Sequence, residues 1–284
     1  NTVKVFETFK PKLKDTATIW WNVGDSYSSG KRTSTTNQSL RGDKNYGVTR
    51  TPVQNGIKEK DLLMIPNRVA IVLQDAGWYI RSEIIWHKPN PMPESVRDRP
   101  TSCHEKIWLI TKNKKYYYDH ESIKEPITDT TAIRLLQKNI NNQKGSLRGN
   151  GGMKSNGNMK AMGRKKFDKN MGGSGTSFVD HSGYKKADGS YMINSTRNKR
   201  NVWTITTKPF KDAHFATFPK DLIEPCIKAG CPEGGVVLDP FGGSGTTGIV
   251  AALNNRNAIL IELNQNYIDI ANKRIDKEVG LFSG

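Results

Sequence analysis

Hydrophobic positions along the chain fall into short apolar runs and helical stripes separated by long polar stretches. An opening segment, Thr2–Leu13, has a helix-like pattern. Thr16–Val23 (TATIWWNV) is short and rich in β-branched and aromatic residues, the pattern of a buried strand, and Gly24-Asp25-Ser26 breaks it. Beyond a polar insertion, Ser28–Lys60, Pro66 suits a first helical position. Val69, Val72, Leu73 and Ala76 follow at i, i+3, i+4 and i+7 until Gly77 closes the helix. Tyr79–Trp86 and Lys106–Thr111 are two further predicted strands, flanking the loop KPNPMPESVRDRP, whose prolines exclude regular structure. After a second, longer polar stretch come a strand at Val202–Thr206 and a helix at Pro219–Ala229, interrupted by Pro225. From Val236 onward the pattern reads strand, loop, helix, strand, helix. Strands alternating with helices predict an α/β fold.

Composition narrows the class of partner. The 284 residues are enough for one large domain, or a domain with a sizeable insertion. With 44 Lys and Arg against 27 Asp and Glu, the net charge is +17 and the pI near 9.7, a balance that favours polyanionic partners such as nucleic acid. Apolar residues make up 35% and the mean hydropathy is −0.65, and no apolar run approaches the roughly 20 residues a spanning helix needs. No basic-then-apolar leader opens the chain, so export is not expected. Three cysteines, Cys103, Cys226 and Cys231, are too few for a disulfide framework or a complete structural zinc site. A reduced, cytoplasmic compartment and no membrane partner are the expectation.

Positive charge is concentrated. Thr111–Arg200 holds 19 Lys and Arg against 7 Asp and Glu, a net +12 of the total +17. Its middle, Lys138–Gly175, is rich in Gly, Asn, Lys and Ser and has no sustained apolar period. It is either a solvated loop or a flexible clamp that tracks phosphates. For the second role Lys160, Arg164, Lys165 and Lys166 are the candidates.

The strongest chemical signal is VVLDPFGGSGTTG, Val236–Gly248, in which Gly243, Gly245 and Gly248 fit G-x-G-x-x-G directly after a strand and opening a helix. Glycines there allow a tight turn and close approach to a ligand, and the helix N-terminus offers unpaired N–H groups. The next predicted strand, Asn257–Ile261, ends at Glu262, close to where nucleotide-binding units place a carboxylate on the ribose hydroxyls. This context favours a nucleoside-type ligand over a packing turn. A triphosphate loop would need a lysine after the glycines, but Thr246 and Thr247 stand there. A dinucleotide fold would continue through more βα units, and too little chain follows Glu262 to form them. The remaining strands of the sheet are therefore expected from earlier in the chain, a permuted order.

At this point the chain resembles the β-class, permuted DNA amino-methyltransferases, which place the catalytic motif first, target recognition in the middle and the S-adenosylmethionine motif last. Asp239–Thr247 (DPFGGSGTT) is similar to their cofactor loop and Ile259–Ile275 to the following strand and helix. His214–Pro219 (HFATFP) resembles the segment that closes over the methionine part. Ile19–Tyr27 and Arg81–Asp119 resemble the parts that border the target base in phage-type and restriction-type members. The resemblance implies a Rossmann-like α/β fold, a mostly parallel twisted sheet with helices on both faces and a basic insertion. It implies residues 1–119 as the target-base half, 120–200 as a DNA-binding insertion and 201–284 as the cofactor half. Double-stranded DNA and a cognate restriction endonuclease are the implied partners.

The implied cofactor, S-adenosyl-L-methionine, would contact His214, Phe215, Thr217, Pro219, Asp239, Phe241, Gly243, Ser244, Gly245, Thr246 and Glu262. Asp25, Trp86, His87 and Lys88 would border the target base. Several of these have plainer alternatives: Gly-Asp-Ser is an ordinary turn, Trp86 to Lys88 can be packing and a surface lysine, Phe215 and Phe241 can be core, and His214 can be structural. Pro225-Cys226 resembles the nucleophile dipeptide of carbon-5 cytosine methyltransferases, but within a predicted helix it reads as core. One departure stands out. The family tetrapeptide, Ser, Asp or Asn followed by Pro-Pro and an aromatic, is absent, for no two prolines are adjacent. In family order it would precede Thr2–Leu13, so the chain is expected to begin just after it, and no catalytic residue is carried over.

The chemistry implied is methyl transfer to an exocyclic amine, N4 of cytosine ahead of N6 of adenine. Such an amine is a poor nucleophile because its lone pair is delocalised into the ring. Acceptors for its hydrogens and a stacked aromatic would favour in-line attack on the sulfonium methyl, with no metal and no covalent nucleophile. The base must leave the duplex to react. A nicotinamide-dependent dehydrogenase using the same glycine loop, and a DNA-binding and cofactor-binding fragment without a catalytic centre, are the competing readings.

Overall fold

A computed structural model of the chain describes residues 2–28, 57–130, 133, 183–185, 191–193, 195–207 and 218–280. The chain divides into two compact units, Asn1–Asp119 with Arg200–Gly284, and His120–Lys199.

The first unit is built on a four-stranded sheet of β1 (Thr18–Val23), β2 (Tyr79–His87), β3 (His104–Thr111) and β8 (Val202–Thr204), in the order β1-β3-β2-β8. β3 runs antiparallel to both neighbours, because the proline-rich loop returns the chain beside β2 as a long hairpin, whereas β8 pairs parallel to β2. A second ladder joins β9 (Val236–Asp239) parallel to β10 (Asn257–Leu260). The ladders of this unit are thus mixed, two antiparallel and two parallel, where the sequence predicts mostly parallel pairing. Among the described residues neither β9 nor β10 pairs with any other strand.

Period-2 alternation in β3 decides how the sheet is covered. Ile107 and Leu109 point to one side, where they pack with Ile84, Trp86 and Trp203 and with Leu222 and Cys226 of α3 (Lys220–Gly230). Trp108 and Ile110 point to the other, against Phe6 of α1 (Thr2–Phe9), Ala70 and Leu73 of α2 (Ile65–Asp75) and Trp78. Helices therefore cover both faces. A bulge between Ile80 and Ser82 shifts the register of β2, so that Ile80 joins the α1 and α2 side while Ile84 and Trp86 face α3. In α2 the buried face is Pro66, Ala70 and Leu73, while Val72 of the predicted stripe is 49% exposed. Small Ala70 lets α2 approach the Phe6 ring, which a β-branched residue there would hold off.

α3 connects the two ladders. Its last residue, Gly230, lies so close to β1 that a Cβ would meet Thr18 Oγ1 at 2.4 Å and Trp20 Nε1 at 2.5 Å, and Thr18 Oγ1 donates to the Gly230 carbonyl at 3.2 Å. On its other side Ile227 packs with Val250 and Ala251 of α4 (Thr246–Leu253). Pro225 does not break α3, since its missing N–H falls opposite Asp221 of the exposed first turn. Cys226 is 6% exposed within the core, as its place in a helix predicts. The first unit ends in α5 (Gln265–Val279), whose N-cap Asn264 accepts from the Asn266 N–H at 3.0 Å.

In the second unit β4 (Glu125–Pro126) pairs antiparallel with β7 (Thr196–Arg197), and Arg197 Nε donates to Glu125 Oε1 at 2.9 Å. β5 (Gly183–Lys185) pairs antiparallel with β6 (Tyr191–Ile193). Among the described residues no helix is long and apolar enough to cross a membrane.

Candidate cofactor and target-base site

The glycine turn between β9 and α4 is held closed by its own strand end. Asp239 Oδ1 accepts from the Phe241 N–H at 3.0 Å and Oδ2 accepts from Thr247 Oγ1 at 2.5 Å, so one carboxylate fastens the entry of the turn to the first helical residues. The Gly245 N–H donates to the Gly242 carbonyl at 2.9 Å, and the Gly242 N–H to the Ile261 carbonyl at 2.8 Å, tying the turn to the end of β10. Gly245 has φ +79° and presses on α5, where a Cβ would come within 2.8 Å of Ala271 Cβ. Gly243 has φ +49° and faces open space, with only the Phe241 carbonyl at 3.9 Å. Both need glycine, one for contact with the helix and one for an open mouth.

Glu262 stands at that mouth. Its Oε2 accepts from the Gly243 N–H at 2.9 Å and its Oε1 from the Leu263 and Asn264 N–H groups, each at 2.9 Å. Backbone donors, that of Asn264 foremost, hold its carboxyl below the usual glutamate range. A cavity of about 300 Å³ opens beside it, lined by Gly242, Gly243, Leu260, Ile261 and, from α5, Ile268, Ala271 and Ile275. Phe241 and Leu263 stand 74% and 97% exposed at the ends of the two strands, so Phe241 is not core. An open glycine turn, an anionic acceptor and exposed apolar side chains form a set that suits an adenosine bearing ribose hydroxyls.

A second polar cluster lies where β1 and β2 end and β3 begins, Val23 opposite Lys106 and Trp86 opposite Glu105. Lys88 Nζ is bonded to Glu105 and lies 4.3 Å from the centre of the Trp86 ring, and Glu105 also reaches within 3.8 Å of the Cβ position of Gly24. His87 Nδ1 lies 3.2 Å from Thr204 Oγ1. Asn90 clamps Thr207, donating to its carbonyl at 3.2 Å and accepting its N–H at 3.1 Å. Arg99, bonded to Glu94 at 2.7 Å, stacks 3.7 Å from the Tyr27 ring. The proline-rich loop is thereby anchored to Tyr27 in the chain after β1 and to the chain after β8.

Against known proteins, the family model described as DNA methylase matches residues 1–273. The chain belongs to this family of N4-cytosine and N6-adenine DNA methyltransferases. It is 40% identical over 278 residues to the type II methyltransferase M.SmaI of Serratia marcescens, covering 97% of this chain and 73% of that one. It is 38% identical over 276 residues to M.Cfr9I of Citrobacter freundii, covering 97% and 70%. Among solved structures, the PvuII DNA methyltransferase (cytosine-N4-specific) superposes with a TM-score of 0.52 at 16% identity, over 96% of this chain and 70% of that one. The fold is accordingly the α/β Rossmann-like methyltransferase fold. The enzyme is a DNA amino-methyltransferase of the restriction-modification type, with DNA as substrate and S-adenosyl-L-methionine as cofactor. The nicotinamide dehydrogenase reading falls with this assignment.

The structure brings Asp239, Phe241, Gly243, Ser244, Gly245 and Thr246 into one turn, with Glu262 bonded to it from the end of β10, though in different roles. Ser244 and Thr246 are each 6% exposed and face α5 rather than the mouth. Pro219 is buried as the N-cap of α3. His214, Phe215 and Thr217 lie outside the described residues, as do Lys160, Arg164, Lys165 and Lys166. Of the expected base-pocket residues, Trp86 is 3% exposed and its indole N–H donates to the Ile205 carbonyl at 2.8 Å, so it packs beneath the cluster. Asp25 is also occupied elsewhere: its Oδ1 accepts from Ser26 and Ile65 N–H groups, capping the start of α2. Thr247 and Leu263 were not among the expected contacts; the second threonine after the glycines and the aliphatic residue after the acid are their only marks in the sequence.

Proposed function

We propose that this methyltransferase acts on a base swung out of the duplex, transferring the methyl group to N4 of cytosine in preference to N6 of adenine. Support for the cofactor half comes from the open turn at Gly243 beside the Glu262 carboxylate. There Glu262 accepts from the ribose hydroxyls, Phe241 and Leu263 flank the adenine, and His214, Phe215 and Thr217 cover the methionine end. When bound, S-adenosyl-L-methionine supplies an electrophilic sulfonium methyl. The preference for cytosine is supported by the resemblance to phage-type members, which tend to carry serine at the first catalytic position, and by the fold likeness to a methyltransferase named as cytosine-N4-specific. His87 and Lys88, at the C-terminal end of β2, border the base. The second unit, with the lysines and arginines of residues 120–199, holds the backbone of the opened duplex through charge.

The test is transfer of tritiated methyl from labelled cofactor to duplex DNA, followed by nucleoside digestion and mass spectrometry. N4-methylcytosine is the expected product; N6-methyladenine alone overturns the preference, and cofactor and DNA binding without any transfer supports the competing reading of a binding fragment. A rise in 2-aminopurine fluorescence at the target position on binding checks that the base leaves the stack.

A further inference from the structure

We infer that Arg274 is a positioning residue of the glycine turn, and that Glu278 links it to the start of α3. This rests on the reading that the turn holds the cofactor. Arg274 Nη1 donates to the Ser244 carbonyl at 2.5 Å, to Ser244 Oγ at 2.9 Å and to Thr246 Oγ1 at 3.1 Å. All three acceptors lie in the turn or in the first residue of α4. Arg274 does not itself line the cavity beside Glu262, although Ala271, Asn272 and Ile275 of the same helix do.

One helical turn earlier, Ala271 of the same helix abuts Gly245. α5 thus meets the turn twice, by van der Waals contact at Ala271 and by hydrogen bonds from Arg274 Nη1. The arrangement is costly in itself. Arg274 is only 17% exposed, burial holds its guanidinium below the usual arginine value, and it stands at the positive end of α4. Against that cost, its donors reach the Ser244 carbonyl and two hydroxyls of a turn whose cap residue, Gly245, has no side chain to hold them.

Glu278 completes the device. Its Oε1 lies 3.7 Å from Arg274 Nε, and its Oε2 is bonded to Nζ of Lys220, the first residue of α3. Lys220 directly follows Pro219, the last residue of the segment expected to cover the methionine end. One carboxylate therefore joins the glycine turn to the root of that covering segment. All three contacts come from Nη1, whose two N–H groups are shared among a carbonyl and two hydroxyls at the full reach of the arginine side chain; lysine keeps the charge but is one bond shorter.

The experiment compares wild type with R274A, R274K, E278Q and K220M in cofactor titration calorimetry, steady-state methyl transfer and amide hydrogen exchange of the turn. R274A should raise the cofactor Kd and KM roughly tenfold or more, the loss expected for hydrogen bonds from a charged donor, with the KM for DNA unchanged. R274K should recover only part. Exchange at Gly245 and Thr246 should speed up in R274A and not at β3. E278Q and K220M should each weaken cofactor binding less than R274A, and together no more than either alone. Equal rises in both KM values, or turn exchange and cofactor affinity unchanged in folded R274A, would overturn the inference. If R274A does not fold, additive effects of E278Q and K220M overturn the link. If wild type itself takes up no cofactor, that earlier reading fails, and exchange at the turn alone decides the role of Arg274.

Discussion

Thr247 Oγ1 gives its hydrogen to Asp239 Oδ2 at 2.5 Å, joining the last residue of β9 to the second residue of α4 across the whole glycine turn. The same carboxylate takes the Phe241 N–H, so it closes the turn from both sides. D239A should lower stability by about 1.5–3 kcal/mol, the range for hydrogen bonds to a charged acceptor, and should weaken cofactor binding with it. D239N keeps an acceptor for Phe241 and offers an amide donor to the threonine hydroxyl, so it should fall between. Thermal denaturation and calorimetry on the three proteins check the order; indistinguishable asparagine and alanine variants would show that the charge, and not the acceptor geometry, closes the turn.

The pH dependence of the turn follows from Glu262. Its carboxyl is held below the usual value of 4.5, chiefly by the Asn264 N–H and also by those of Gly243 and Leu263. A depressed folded pKa means that the contribution to stability is present above the ordinary glutamate value and is lost as pH falls through the folded one. Cofactor affinity and protection of the Gly243 amide should therefore be level from neutrality down to about pH 4.5 and decline below it. E262Q should abolish that acid limb. Hydrogen exchange at Gly243 measured across the acid range reads it directly, and an unchanged limb in E262Q would assign it to another group.

Two glycines of the motif should fail in different ways. G245A places a methyl 2.8 Å from Ala271 Cβ at φ +79°, so the turn and α5 must separate. A loss of about 1–3 kcal/mol is expected from the strained backbone alone. G243A meets no neighbour closer than 3.9 Å and carries only the left-handed penalty of about 1–2 kcal/mol, but its methyl faces the cavity mouth. The melting temperature should drop more for G245A; relative to that drop, cofactor affinity should suffer more in G243A. The opposite ranking would place the ligand away from the mouth at Gly243.

The α/β class, the family and its cofactor were legible because each is written locally. A strand, three spaced glycines, a helix and an acid at the next strand's end lie within 27 residues, Val236–Glu262. Their spacing fixes a turn almost regardless of the rest of the chain. What was not legible depends on distant contacts. Val72 fits a helical stripe but is exposed, because the buried face of α2 is chosen by Phe6 and Trp78. Trp86 looks like a site residue by position, yet the bulge near Ile80 settles the side on which it packs. Arg274 sits in a polar helix with no motif around it; its acceptors, a carbonyl and two hydroxyls, are 28 and 30 residues away. Likewise, the sequence gives no hint that Asp25 is needed by α2, 40 residues on.

The separation of core from contact at the end of β2 makes the last prediction. Trp86 is buried with its indole N–H on the Ile205 carbonyl, whereas Lys88, bonded to Glu105, lies over its ring closer to solvent. W86F keeps the apolar packing but leaves that carbonyl without its donor, so stability should fall by about 1–3 kcal/mol while the KM for DNA stays where it was. K88Q removes a cation that only partly exposed Glu105 partners, and H87A removes the ring beside Thr204. If these two border the base, each should raise the KM for DNA and blunt the 2-aminopurine signal, with cofactor affinity unaltered. E105Q separates charge from position: it frees Lys88 from its ion pair and should leave DNA affinity equal or better. Should W86F instead weaken DNA binding at unchanged melting temperature, the indole reaches the base after all; should K88Q and H87A act only on stability, the pocket lies elsewhere along the sheet.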